Sequence, residues 1–129
     1  MIKLYTDAGI NTNQNIAAIS YYIDDNGNQY EHSENVKSES NHYLEFLALK
    51  KALEYLKEKH SNDILLIFTD SKILHDSINK NYAKSFQNIL DDIMALLKDY
   101  PDYFIKEIRD KQNNHAHMLV HKQIYSKYK

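Results

Sequence analysis

The sequence predicts an α/β fold: a mixed five-stranded sheet, three antiparallel strands and then two parallel ones, with helices on both faces. Two observations carry this reading. The first third of the chain holds three strand-like runs separated by short polar turns, and the remainder alternates helical periodicity with apolar strands. The resulting order is β β β α β α α β α. Short, unknotted connections make the first three strands antiparallel neighbours and bring in the last two by right-handed crossovers.

Each element has its own signal. Ile2 to Thr6 is a short apolar run, and Ile16 to Ile23 is a second. Asp24-Asp25-Asn26-Gly27-Asn28 follows, and Asn-Gly marks a two-residue hairpin turn into a third strand from Gln29 to Asn35. Lys37 to Ser40 is polar and ends in a residue suited to capping a helix. From Asn41 to Lys59, Leu44, Leu47, Ala48, Leu49, Ala52, Leu53 and Leu56 recur at three- and four-residue steps, the helical pattern. Ile64 to Thr69 is apolar almost throughout, as in a strand buried on both faces. Short and longer helices are predicted over Ser71 to Ile78 and Ala83 to Leu97, the second ending before Pro101. Tyr103 to Ile108 reads as the last strand and Asn113 to Tyr125 as the closing helix.

Composition narrows the class. At 129 residues the chain suits a single domain over 1–129. It has no cysteine, which removes disulfides and thiolate metal sites. Neither a signal-like leader nor a run near the ~20 residues of a membrane span is present, so a cytoplasmic protein without membrane contact is expected. The sequence does not reveal the oligomeric state, and a monomer is the default expectation. Sixteen basic and eighteen acidic side chains leave a net charge of −2, without the strongly basic balance of many nucleic-acid binders. A local basic groove beside an acidic metal site remains compatible with that sum. With two glycines in all, glycine-rich phosphate loops are absent.

The chain closes two apolar runs in the same way, Leu4-Tyr5-Thr6-Asp7 and Ile67-Phe68-Thr69-Asp70. Functional groups in open α/β sheets gather beyond the carboxyl ends of parallel strands. If the first and fourth strands are parallel neighbours, Asp7 and Asp70 fall side by side. Two such carboxylates need a cation or a raised pKa. The structural alternatives are that Asp70 caps the next helix and that Asp7 sits in a loop.

Glu45 is more informative. On a helical wheel it stands inside the stripe formed by Ala48, Leu49, Ala52, Leu53 and Leu56, one turn into its helix. A buried carboxylate requires a partner: a basic side chain, water, or a metal shared with Asp7 and Asp70. Three converging carboxylates suit Mg²⁺ or Mn²⁺. In the closing helix, Ala116, Val120 and Ile124 mark the buried face and His117 lies at its edge. His117 and His121 have the i, i+4 spacing of zinc helices but lack the glutamate and cysteine partners, which argues against zinc.

Together, Tyr5-Thr6-Asp7, Asn41-His42-Tyr43-Leu44-Glu45, Phe68-Thr69-Asp70-Ser71 and Asn113-Asn114-His115-Ala116-His117-Met118-Leu119 resemble ribonuclease H, type 1, across essentially the whole chain. The resemblance implies the ribonuclease H-like fold and an endonuclease that hydrolyses the RNA strand of RNA–DNA hybrids with two divalent ions. It implies Asp7, Glu45 and Asp70 as catalytic metal-binding carboxylates. His117 stands where the family carries a fourth aspartate, and is carried over as catalytic residue and ligand. Being neutral and softer, it predicts weaker Mg²⁺ binding and a relative preference for Mn²⁺. Asn41 falls where the family reads the ribose 2′-OH, Ser40 near its DNA-phosphate pocket, and Asn113 among the substrate-binding positions.

Several features depart from the family. The usual glycine-rich turn after the first aspartate is replaced by Ile10-Asn11-Thr12-Asn13-Gln14-Asn15, and the histidine loop before the last helix is reduced to Arg109-Asp110-Lys111-Gln112. No basic tryptophan-bearing insertion follows Asp70, although Lys72, Lys80 and Lys84 form a modest substitute. Two alternatives therefore stand beside the active hybrid nuclease: a weak or silent nucleic-acid-binding module, and a nuclease of the same fold with another substrate.

Overall fold

The computed structural model describes residues 1–57 and 63–125. Three strands open it: β1 (Ile2–Asn11), β2 (Ile16–Asp25) and β3 (Asn28–Val36). Then come α1 (Asn41–Lys57), β4 (Leu65–Thr69), α2 (Lys72–Lys80), α3 (Gln87–Leu97) and β5 (Tyr103–Glu107). A 3₁₀ turn over Asp110–Asn113 leads into α4 (Asn114–Tyr125). The strands lie in the order β3-β2-β1-β4-β5. β1 to β3 pair antiparallel, whereas β4 is parallel to both β1 and β5. The predicted sheet and its helical cover are present.

The β2–β3 hairpin turns on Asn26 (φ 54°) and Gly27 (φ 97°). Both are left-handed, as a two-residue turn matched to strand twist requires. Residues of alternating strand position then face opposite helices. Ile2 and Leu4 of β1, with Ile23 of β2, pack with Phe46, Leu49, Leu53 and Leu56 of α1, and with Leu74 of α2 and Leu90 and Ile93 of α3. Each such side chain removed from water is worth about 1.5–3 kcal/mol, and this face holds most of the core. On the other face α4 sets Val120 and Ile124 against Ala18. Ser20 Oγ ties the two by donating to the Ala116 carbonyl at 2.7 Å.

Three boundaries near the site differ from expectation, each for a local reason. β1 runs on to Asn11, paired as far as Asn11↔Ile16, so Asp7 lies within the strand rather than at its end. Gly9 belongs there because a Cβ would come 2.7 Å from Val120 Cγ1, and of the Ile10–Asn15 segment only residues 12–15 form the turn. α3 starts at Gln87 rather than Ala83: left-handed Asn81 closes α2, and the Ala83 N–H is taken by Gln87 Oε1 at 2.8 Å. The closing helix proper starts at Asn114, after the 3₁₀ turn. The expected continuation of α1 over 58–59 lies outside the described residues. Among those residues, no helix is long and apolar enough to cross a membrane.

Candidate metal centre

β4 pairs with β1 only from Ile2↔Leu65 to Tyr5↔Phe68, while β1 continues beside β2 for six more residues, from Thr6 to Asn11. Past Phe68 the sheet therefore has a notch, with Asp7 on one side and Asp70 leaving β4 on the other. α1 crosses over it and supplies Glu45. One carboxylate oxygen from each of Asp7, Glu45 and Asp70 lies within 4.8 Å of the other two. The repeated Thr-Asp is thus one cluster drawn from two parallel strands.

Burial makes the cluster electrostatically tense. Glu45 is 5 % exposed, and its Oε1 has no hydrogen-bond partner. Desolvation first, then Asp7, Asp70 and Asp110, push its pKa well above the ordinary value. Desolvation likewise raises Asp7 from 3.8 to about 6, opposed by the Ala8 backbone and by His117. Asp70 rises to about 7 through desolvation, Asp7 and a hydrogen bond with Asp110. An orphaned buried oxygen among like-charged, all-oxygen donors fits a hard divalent cation.

The other expected residues occupy distinct places. His117 Nδ1 is 3.3 Å from Asp7 Oδ2, and its side chain is 59 % exposed. It touches the cluster through Asp7 without joining the three mutually close carboxylates. Ser71, not Asp70, caps α2, its Oγ accepting from the Leu74 N–H at 3.1 Å. Ser40 caps α1 by accepting from the Tyr43 N–H at 3.1 Å, which leaves its hydroxyl proton free to donate. Asn41 is exposed as the first residue of α1, whose first turn carries no acidic side chain. Lys72, Lys80 and Lys84 are exposed, and Lys72 pairs with Asp76 at 3.3 Å.

Asn113, expected among the substrate-binding positions, is 0 % exposed and donates to the Thr6 carbonyl at 2.7 Å. It also lowers the Asp70 pKa by hydrogen bonding. Its side chain fixes the approach of α4 to β1 and steadies a carboxylate, with no surface to offer a ligand. Sequence reasoning in turn missed Asp110, which raises the pKa of all three carboxylates. It stood in the Arg109–Gln112 segment, and only the 3₁₀ turn brings it to the cluster.

Comparisons with known proteins agree with this geometry. The RNase H family profile matches residues 1–127. EbsB of Enterococcus faecalis, named as a hydrolase, is 30% identical over 133 residues, covering 99% of this chain and 97% of its own. LC11-RNase H1, solved in complex with an RNA/DNA hybrid, superposes with a TM-score of 0.86 at 24% identity, covering 100% of both chains. RNase H1 from the halophilic archaeon Halobacterium salinarum gives 0.81 at 19% identity, covering 94% of this chain and 95% of that one. From its three-carboxylate notch to its family profile, the chain belongs to the ribonuclease H family, and with it to the nuclease hydrolases.

Proposed function

We propose that this chain hydrolyses the RNA strand of RNA–DNA hybrids with two divalent ions held by Asp7, Glu45 and Asp70. The observation that carries the proposal is the buried cluster itself: three carboxylates within 4.8 Å, one with an unpartnered oxygen, a costly arrangement that a bound cation would offset. When bound, divalent ions supply a water-derived nucleophile and neutralise the leaving oxygen. The protein's own groups do the rest. Glu45 is held rigid by the packing of α1, and Asn113 steadies Asp70. His117, with Nδ1 3.3 Å from Asp7 Oδ2, orients that carboxylate. The Ser40 hydroxyl and the free N–H groups of the first α1 turn are suited to a phosphate of the DNA strand. Asn41 beside them is suited to the ribose 2′-OH, the group that separates RNA from DNA.

A second reading has one observation in its favour: His117 brings no negative charge to the cluster, which suits Mn²⁺ over Mg²⁺ or a binder of reduced activity. Cleavage of a labelled hybrid in Mg²⁺ and in Mn²⁺, beside duplex DNA and duplex RNA, separates the readings. Hybrid-specific cutting that disappears in Asp70→Asn is expected. Binding without cutting in either metal favours the silent module, and cutting that ignores RNA content favours a different substrate.

A further inference from the structure

Among the described residues, α1, α2 and α3 share one face of the sheet, while α4 packs against β1, β2 and β3 on the other. That leaves one face of β4 and β5, and the lower half of β1, without a helix. The strand register arranges the side chains there as two rows. Tyr22, Tyr5, Phe68 and Lys106 are successive cross-strand partners in the first, and Asp24, Lys3, Leu66 and Phe104 in the second. The rings are ordered: Tyr5 stacks on Phe68 at 4.6 Å and 16°, and His115 of α4 stacks on Tyr22 at 3.9 Å and 14°. Phe104 is 59 % exposed, and neither Lys3 nor Lys106 has an ion pair among the described residues.

A depression of about 270 Å³ opens between these rows and the start of α4, lined by Tyr5, Tyr22 and His115 with Lys3, Gln112 and Asn114. A second, of about 230 Å³, adjoins it across Asn114 and His115 and ends at Lys122. Each is small for a drug-sized ligand and matches a single nucleobase. Aromatic rings on an open sheet, with amide groups and lysines beside them, are the components with which sheets take up unpaired bases. Asp24 lines the first depression and Glu31 the second, and Glu31 is engaged by His115 at 2.6 Å.

The face also has a direction. Tyr5 precedes Asp7 on β1, and Phe68 precedes Asp70 at the end of β4, each by two residues, about 7 Å. The rings thus adjoin the carboxylates along the strand direction.

We propose that this open face is a second nucleic-acid site, a stacking platform for an unpaired stretch of RNA continuous with the strand at the carboxylates. The free-RNA part stands on the rows and depressions alone. The assignment to the cleaved strand rests on the hybrid reading above.

The test is binding, followed by fluorescence anisotropy in an Asp70→Asn background so that nothing is cut. Four probes are used: a blunt hybrid, the same hybrid with six unpaired uridines on its RNA strand, the same with six thymidines on its DNA strand, and free oligouridine. The RNA extension is expected to lower Kd at least fivefold, and the DNA extension to leave it within twofold. Phe104→Ser with Lys106→Glu, both at exposed side chains of an edge strand, removes the gain and leaves the blunt-hybrid Kd within twofold. Lys3→Glu gives the same result from a different strand. An extension without effect, a gain that survives both variants, or an equal gain from the DNA extension overturns the proposal. Free oligouridine bound through Phe104 and Lys106 without any affinity for the blunt hybrid overturns the hybrid reading and keeps the platform. Binding of neither overturns both.

Discussion

Neutralising one buried carboxylate should stabilise the metal-free protein while disabling its site. Asp7 is the clearest case, because it is 4 % exposed and its pKa rises from 3.8 to about 6. At about 1.4 kcal/mol per pH unit, ionising Asp7 costs the folded state about 3 kcal/mol. The sign follows from proton linkage: the folded state holds this proton more tightly than the unfolded chain. Below the unfolded value of 3.8 the penalty is absent, it grows as pH rises, and it is complete above the folded value of about 6. Asp7→Asn removes the charge at every pH. In EDTA at pH 8 the variant should therefore melt higher than the parent by roughly 10 °C, taking about 3–5 °C per kcal/mol for a chain of this size. At pH 4 the two should differ by no more than about 2 °C on the same scale. Thermal unfolding followed by circular dichroism, with and without Mn²⁺, is the assay. Metal should raise the parent's midpoint and leave the variant's nearly unchanged. A difference independent of pH, or a variant less stable than the parent at pH 8, would refute the account of charge repulsion in the notch.

Three further changes probe neighbouring parts. Gly9→Ala places a methyl 2.7 Å from Val120 Cγ1 and should destabilise by about 1–3 kcal/mol, with recovery in the double variant Gly9→Ala, Val120→Ala; urea midpoints decide. Asp110→Asn takes away a group that raises Asp70, so metal binding measured by calorimetry should persist to lower pH than in the parent, and an unmoved pH midpoint would remove Asp110 from the site's electrostatics. His117→Asp should raise cleavage in Mg²⁺ by about tenfold or more relative to Mn²⁺, in keeping with a harder oxygen donor, whereas an unchanged metal profile makes His117 a bystander.

The fold was legible because its signals are local. Helical periodicity over α1, the Asn26-Gly27 turn and the apolar run of β4 each follow from backbone geometry and burial, and all recur in the structure. Glu45 was legible for a related reason, since an acidic residue inside an apolar stripe requires a partner from outside its helix. Asp110 was not, because its role comes from a 3₁₀ turn that no periodicity announces. The burial of Asn113 was not legible either, because its bond to the Thr6 carbonyl joins residues far apart in the chain. The length of β1 was hidden by Gly9, which looks like a loop residue until α4 is laid across it.

The notch has a consequence for how this architecture can change. Each strand pair that stops early forgoes hydrogen bonds and cross-strand contacts that a longer partner would supply. Were the pairing of β4 with β1 to extend by two more ladder positions, through Thr6 and Thr69, Asp70 would be carried into the ladder opposite Asp7, and the gap that admits a cation would close. Selection for stability alone therefore pushes toward zipping the sheet shut, and the nuclease persists only while that pressure is resisted. Lineages freed from the need to cut nucleic acid are the ones in which a lengthened fourth strand should first be found.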